Sequence, residues 1–138
     1  MMGMIPAFDD YGNLPQGIHR ATFDDVCNRF GKSSPEREVE TKELSRFLDW
    51  ARQMGVKRVI LNGSFITEKV APNDVDLGVL PDARSHGDLL AMLRDEDRIW
   101  PFLHVFVAAD DEDVVVWIAS EFGTDRNRRV KGVVEVKL

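Results

Sequence analysis

The sequence contains a single cysteine, Cys27, among its 138 residues. One thiol cannot form an intramolecular disulfide, which excludes the disulfide-stabilised scaffolds of small secreted proteins and favours a reducing compartment. Long hydrophobic runs are also missing, because the longest apolar stretch, residues 114–119, is far shorter than the ~18 residues of a membrane span. The first residues carry neither the basic residues nor the apolar block of a signal peptide. We therefore expect a cytoplasmic protein with no membrane partner.

Positive charge is scarce relative to negative charge, since 18 Lys and Arg residues accompany 24 Asp and Glu residues, for a formal net charge of −6. Proteins that wrap duplex nucleic acid usually have the opposite balance, because neutralisation of phosphates dominates their affinity. A basic cluster near the C-terminal end forms either a solvated turn or a local contact with a partner. Its members are Arg126, Arg128, Arg129 and Lys131. An RNA end bound through this cluster is an alternative partner, which the negative net charge disfavours.

The composition is that of an ordinary globular domain, with 43% hydrophobic and 30% charged residues. Residues 1–21 predict an irregular N-terminal arm, because turn-forming residues recur in this segment. They are Pro6, Gly12, Pro15 and Gly17. Residues 22–138 are then predicted to form one domain of the usual size, roughly 100–150 residues.

Start and stop signals divide the rest of the chain into helices and strands. Thr22 predicts an N-cap for a short helix over 23–30, and Ser34 before Pro35 predicts a longer helix that runs to about Met54. Strands are predicted at 57–61, 75–80, 102–108 and, half-exposed, at 134–138, and further helices after Ser85 and over 110–122. In the last helix the β-branched residues 114–116 would suit a strand equally. The alternation predicts an α/β (α+β) fold with a single mixed β-sheet flanked by helices.

Two aspartates at the start of a predicted strand indicate a metal site. Asp74 and Asp76 are two residues apart, so both carboxylates project from the same face of the strand, while Val75 and Leu77 point to the core. Like charges so close repel each other, and the arrangement becomes favourable when a divalent cation lies between them. Magnesium, or manganese in its place, suits such a site, since it takes one or two protein carboxylates together with water and substrate phosphate.

Gly63 and Ser64 follow another predicted strand and indicate a phosphate-binding turn. Glycine lets the backbone approach a bulky anion, and amides at the turn attract phosphate, with Lys69 within reach as a point charge. A phosphate cradle beside a carboxylate pair suits transfer of a nucleotidyl group from a nucleoside triphosphate. Each half taken alone also suits an ordinary turn, because Asn73 and Asp74 can bond the local backbone. The pairing of the two halves at short separation favours the functional interpretation.

These residues resemble a known signature. Gly63-Ser64, a short interval, and then Asp74-Val75-Asp76-Leu77 is similar to the motif of the polymerase-β-like nucleotidyltransferase superfamily, and in particular to its short single-domain bacterial members. Residues 14–22, 124–126 and 131–132 also look similar to such proteins. The resemblance implies a mixed sheet with flanking helices, metal-dependent use of a nucleoside triphosphate, and often a place in a toxin–antitoxin or defence gene pair. It therefore also implies a protein partner encoded nearby.

The chain departs from this superfamily at the third carboxylate, which usually lies in the middle of a later strand. The matching strand, residues 102–107, has His104 as its polar residue. An imidazole can bind a metal or accept a proton near neutral pH, although it is a poorer magnesium ligand than a carboxylate. A buried core histidine is the alternative. Asp110 is a second candidate for the third acid, although its position also suits a helix cap.

If His104 occupies the third position, its ring must face Asp74 and Asp76, with Phe102 and Phe106 on the same face of the strand. Leu103, Val105 and Val107 would then pack on the other face. The sequence thus supports two hypotheses. The first is an enzyme that transfers a nucleoside monophosphate from a triphosphate to a hydroxyl of a protein or RNA, with Asp74, Asp76 and His104 as catalytic residues. The second is a catalytically impaired module that binds nucleotide or a protein partner.

Overall fold

One mixed β-sheet organises the part of the chain that the computed structural model describes, residues 5–94, 96–119, 127–129 and 131–138. The strand order in this sheet is β1-β5-β2-β3-β4. The strands are β1 (Ile18–Ala21), β2 (Arg58–Asn62), β3 (Val75–Leu80), β4 (Leu103–Val107) and β5 (Val133–Val136). The sheet and its flanking helices confirm the predicted α+β class.

The pairing of strands determines which side chains meet across the sheet. β1 pairs with β5 in parallel, β5 and β2 are antiparallel, β2 and β3 are antiparallel, and β3 and β4 are parallel. In this register Asp76 of β3 lies opposite Asn62 of β2 on one side and His104 of β4 on the other. Residues directly opposite each other in adjacent strands share a face, so these three polar residues form a row across the sheet.

The first two helices begin at the predicted signals, whereas the short fourth helix was not predicted. Thr22 accepts a hydrogen bond from the Asp25 amide while the Asp25 carboxylate accepts one from the Thr22 amide, and Ser34 accepts one from the Arg37 amide. Such caps satisfy amides that have no partner within the helix. The α-helices are α1 (Phe23–Phe30), α2 (Pro35–Gln53), α3 (His86–Leu93), α4 (Glu96–Ile99) and α5 (Asp111–Ala119).

The two faces of the sheet are covered unequally. The larger core lies on the face against α1, α2 and α3 and includes Phe47, Leu61 and Leu77. A smaller cluster lies on the opposite face beneath α5, where Val114 packs with Ile60 and its neighbours. Asp76 and His104 belong to this second face, beyond the cluster that α5 covers, and both keep exposed surface. The incomplete cover of the second face leaves room for a site.

The prediction of an irregular arm over residues 1–21 is wrong at its C-terminal end. Residues 18–21 form β1, and Leu14 is 1% exposed within the larger core, so the folded domain begins before residue 22. The glycines and prolines of the segment hid a short strand whose pairing partner, β5, lies at the other end of the chain.

The prediction of a half-exposed strand over 134–138 is also wrong. β5 lies inside the sheet between β1 and β2 and is buried along its length. Glu135 indicated a solvent-facing side, but Arg58 donates to both of its carboxylate oxygens at 2.9 and 2.8 Å. A buried ion pair therefore occupies a position whose residue type alone suggested exposure.

Three further predictions concern the chain around α5. Residues 114–116 are helical, as the helix prediction required. The predicted end of that helix at Phe122 and Gly123 lies outside the described residues, as do residues 124–126.

No helix among the described residues combines the length and the apolar character needed to cross a membrane.

Candidate functional site

Asp74, Asp76 and His104 converge at one end of strands β3 and β4. Nδ1 of His104 lies 3.5 Å from Oδ1 of Asp76, and one ligand atom from each of the three residues lies within 4.8 Å of the others. Asp74 precedes β3, whereas Asp76 is its second residue. This convergence confirms the predicted position of His104 beside the carboxylate pair.

The orientation of β4 also agrees with the prediction. The rings of His104 and Phe106 lie 4.5 Å apart on one face, whereas Leu103, Val105 and Val107 belong to the larger core on the other. The His104 side chain is 56% exposed, so the alternative of a buried core histidine is wrong. Phe102, predicted on the same face as His104, precedes β4 and is partly exposed.

Electrostatic effects at Asp76 favour a bound cation. Burial raises the pKa of its carboxyl group, and the nearby negative charge of Asp74 raises it further. His104 and Lys131 act in the opposite direction and lower it. A divalent cation between the two carboxylates would compensate both the burial and the repulsion, and the donor set of two carboxylates and one imidazole is chemically suited to it.

The Gly63–Ser64 turn is in direct contact with the carboxylate pair. Gly63 has φ +76°, a conformation that glycine adopts at little cost, and leads from β2 into a 3₁₀ turn at Ser64–Ile66. A Cβ atom at Gly63 would overlap the Asp76 carboxylate, with Cγ of Asp76 at 3.0 Å. The glycine therefore allows the turn to pass close to Asp76, which joins the predicted phosphate cradle and the carboxylate pair into one site.

A cleft of about 630 Å³ brings together all of the residues predicted for the site. They are Gly63, Ser64, Lys69, Asp74, Asp76 and His104. The cleft also includes Asn13, Thr67 and Asn73, which the sequence did not single out, and Lys131, which it assigned only to a basic cluster. Asn13 is buried and comes from the arm, where the carbonyl of Gly12 accepts a hydrogen bond from the Glu68 amide at 3.0 Å. The arm therefore forms one wall of the cleft.

Arg37 of α2 holds the loop after Gly63. Its buried guanidinium donates hydrogen bonds to five backbone carbonyls, four of them in this loop. The acceptors are the carbonyls of Phe30, Ser64, Phe65, Thr67 and Lys69. The planar guanidinium presents five donors in a fixed geometry, which a lysine ammonium cannot reproduce.

Glu40 and Glu43 follow Arg37 at three-residue intervals on α2. The Glu40 side chain is 2% exposed, and burial raises its pKa to about 7, which Arg37 partly offsets and Asp74 and Glu36 reinforce. Glu43 accepts a hydrogen bond from the Phe102 amide at 2.6 Å, just before β4 and His104. Arg37, Glu40 and Glu43 form what we call the charged ridge of α2. Arg37 bonds the loop after Gly63, Glu43 bonds the amide before β4, and Glu40 lies between them, close enough for the charge of Asp74 to raise its pKa.

The sequence contains a signal for this ridge. Leu44 and Phe47 lie at helical spacing on the face of α2 that meets the core. The same spacing, continued toward the N-terminus, places Arg37, Glu40 and Thr41 on that face. Charged residues in the phase of an apolar stripe are buried, and buried charges in turn need specific partners. The partners are distant in sequence, so the pattern alone could not have named them.

Asp110 is not a substitute for the third carboxylate. Its Oδ1 accepts a hydrogen bond from the Asp113 amide at 2.9 Å, which makes it a cap of α5. It lies in a separate cleft of about 310 Å³ with Lys57, Asp82 and His86. The candidate third acid is therefore wrong, and His104 occupies the position beside the aspartates.

Comparison with known proteins gives a family and no function. No curated protein matches the sequence, and no solved structure matches it. A family model described as a family of unknown function, DUF6932, matches residues 6–137, nearly the whole chain. The chain therefore belongs to the DUF6932 family of unknown function.

Proposed function

We propose that this protein is a metal-dependent nucleotidyltransferase that moves a nucleoside monophosphate from a nucleoside triphosphate to a hydroxyl group of a protein or an RNA. One observation carries the proposal. A single cleft contains a carboxylate pair with an adjacent imidazole, Asp74, Asp76 and His104, in direct contact with the Gly63–Ser64 turn. The combination supplies a cation site next to a backbone turn that has no Cβ in the way of an anion. The resemblance to short nucleotidyltransferases adds a toxin–antitoxin or defence gene pair as the setting, with a partner encoded nearby.

Asp74 and Asp76 would hold Mg²⁺ or Mn²⁺, because both are oxygen donors and their mutual repulsion needs a cation. When bound, the cation neutralises charge that develops on the transferred phosphorus and on the leaving pyrophosphate. Lys69 and Lys131 add positive charge in the same cleft for the phosphates.

The remaining chemistry falls to side chains of this chain. In the proposed reaction the acceptor hydroxyl oxygen bonds to the α-phosphorus, the bond from that phosphorus to the β-phosphate breaks, and pyrophosphate leaves. His104, exposed beside Asp76, accepts the proton of the hydroxyl group. Arg37 keeps the loop in place through its carbonyl hydrogen bonds and thereby positions the cradle.

Label transfer tests the proposal. Each of the four nucleoside triphosphates, labelled at the α-phosphate, is incubated with the protein, Mg²⁺ or Mn²⁺, and either the protein of the neighbouring gene or total RNA. We expect label in one acceptor, and loss of at least about 99% of transfer in Asp76→Asn, because one coordinating charge is removed. Asp88→Asn, an exposed aspartate on α3, is the matched control and keeps wild-type transfer. Absence of label in every acceptor with wild-type protein would exclude the proposed activity.

One observation favours the second candidate function, a catalytically impaired module that binds nucleotide or a protein partner. The third member of the cluster is an exposed imidazole, a weaker magnesium ligand than the usual carboxylate. This hypothesis predicts that the wild-type protein binds ATP by calorimetry but transfers no label, and that His104→Asp raises Mg²⁺ affinity and gains transfer. Transfer by the wild type that His104→Asp does not improve would contradict it.

A further inference from the structure

A second concave surface lies between the N-terminal half of α2 and the segments that precede β3 and β4. It is a groove of about 360 Å³ with apolar walls formed by Pro35, Val39, Pro72 and Phe102. Val39 is 46% exposed and Phe102 is 38% exposed, so both large side chains present apolar surface to solvent at the same place. Adjacent exposed apolar side chains in a concave surface are typical of a site that another molecule covers.

Two acidic side chains line this groove, and both are ionised above the pKa of Glu40, which is about 7. Glu36 is exposed, and Glu40 is 2% exposed while still lining the groove. Within the described part of the chain, nothing donates a hydrogen bond to Oε1 of Glu40, and the neighbouring Arg37 directs its donors to backbone carbonyls. A buried acceptor without a donor is unfavourable, and a ligand that brings a donor removes that penalty.

We propose that this groove binds a polypeptide segment that places a lysine or arginine side chain against Glu40 and an apolar side chain against Val39 and Phe102. The charge of the groove selects this occupant. Its lining residues, all within the described ranges, include two carboxylates and no cationic side chain, so it attracts a cation and repels phosphate groups. The exposed aromatic and aliphatic walls match an apolar side chain next to the cation. A nucleic acid would bring one negative charge per nucleotide to this surface and is disfavoured.

The position of the groove suggests what the segment does. Asn73 lines both the groove and the metal-binding cleft, and Asp74 is the next residue. A segment seated in the groove therefore passes beside the carboxylate pair, where a hydroxyl group on it would be the acceptor. This last step rests on the proposed function, whereas binding in the groove does not.

Selection from a display library of short random peptides tests binding in the absence of nucleotide. We expect the selected peptides to carry Lys or Arg next to an apolar residue. Their affinity should fall at least about tenfold in Glu40→Gln, which removes a charge-assisted hydrogen bond while keeping the shape of the side chain. Val39→Ser, on the exposed wall of the groove, should weaken binding as well. Glu38→Gln, an exposed glutamate on the same helix outside the groove, is the matched control and should bind as the wild type does.

Four results would overturn the proposal. They are no enrichment of any peptide, selected peptides without a cation, equal affinity for wild type and Glu40→Gln, and displacement of the peptides by a short random RNA. Amide chemical shifts of wild type and Glu40→Gln, recorded without ligand, verify that the variant is folded.

Label transfer to the selected peptides separates this inference from the proposed function. If peptides that contain a hydroxyl residue bind in the groove but receive no label with any nucleoside triphosphate and metal, the groove is supported and its role in presenting the acceptor is overturned; if the neighbouring protein and total RNA also stay unlabelled, the transferase proposal fails. If peptides without a cation are labelled as readily as the selected ones, the transferase proposal is supported and the groove does not deliver the acceptor.

Discussion

At the scale of single residues, Gly63 links the two halves of the site. Its backbone conformation, φ +76° and ψ −166°, is one that essentially only glycine adopts, and its Cα lies against the Asp76 carboxylate. We expect Gly63→Ala to lower the free energy of unfolding by about 1–3 kcal/mol, from backbone strain, and to weaken Mn²⁺ binding by displacing Asp76. Urea denaturation and Mn²⁺ titration measure the two effects.

Gly87 on α3 provides the control for this substitution. A Cβ there has no heavy atom within 4 Å, and the residue is helical. Gly87→Ala should therefore raise the free energy of unfolding by up to about 1 kcal/mol and leave Mn²⁺ affinity unchanged. The explanation would fail if the two alanine variants changed stability in the same direction.

Glu40 predicts a dependence of stability on pH. Its pKa is raised from its ordinary value of 4.5 to about 7 in the folded protein, so between these pH values the folded state keeps a proton that the unfolded state has released. Stability therefore falls as pH rises through this window, by up to about 3 kcal/mol from this one group.

Urea midpoints at about pH 5 and about pH 8 should differ less in Glu40→Gln than in wild type. Asp76 and Glu43, whose pKa values burial also raises, leave a residual slope in both proteins. Equal slopes for the two proteins would contradict the assignment.

Sequence reasoning at this scale succeeded where the signal was local. Asp74, Asp76 and Ser64 could be selected because strand alternation and a turn determine their neighbours within a few positions, and His104 followed from the resemblance, which implies a third polar residue in the matching later strand. Asn13 and Glu40 could not be selected, because their place at the site results from packing between segments far apart in the chain. A residue of that kind carries no local signature of its partner.

At the scale of elements, helix α2 supports the loop of the proposed phosphate cradle. Arg37→Lys keeps the charge but cannot reach five carbonyls at once, so the loop over Ser64–Lys69 loses several hydrogen bonds. We expect ATP affinity to fall about tenfold or more, while Mn²⁺ affinity at Asp74 and Asp76 changes less than about threefold. Calorimetric titration with ATP and with Mn²⁺ measures the two affinities separately.

Arg52→Lys, an exposed arginine of the same helix paired with Asp49, should change neither affinity. Equal losses of ATP and Mn²⁺ affinity in Arg37→Lys would indicate general unfolding instead of a displaced loop.

Helices whose ends are defined by caps were predicted well, whereas strands that are defined by pairing with a distant strand were predicted poorly. α1 and α2 begin at the predicted residues because Thr22 and Ser34 act on amides within the same turn. β1 and β5 were misread because each depends on the other, and their separation along the chain conceals the pairing. The ion pair between Arg58 and Glu135 then buries a residue that local alternation assigns to solvent.

At the scale of the whole molecule, the N-terminal arm is part of the domain. Leu14 is 1% exposed, and the Gly132 amide donates to its carbonyl at 2.9 Å, so the arm contributes both core and backbone contacts. We expect Leu14→Ala to lower the free energy of unfolding by about 2–5 kcal/mol, the cost of deleting a buried leucine side chain. Ile18→Ala, in the same segment but 41% exposed, should cost less than about 1 kcal/mol. Thermal denaturation compares the variants, and a negligible effect of Leu14→Ala would show that the arm is not integral.

The charged ridge of α2 also constrains how the chain can change in length. An α-helix turns by about 100° per residue, so one residue inserted between Arg37 and Glu43 would rotate one part of the ridge away from its partners. The loop after Gly63, which Arg37 holds, and the start of β4, which Glu43 holds, would then no longer be bonded by the same helix. Insertions after Glu43 leave both contacts in phase. The spacing of six residues from Arg37 to Glu43 is therefore fixed by the site, and we expect length variation among proteins with this site to occur outside that interval.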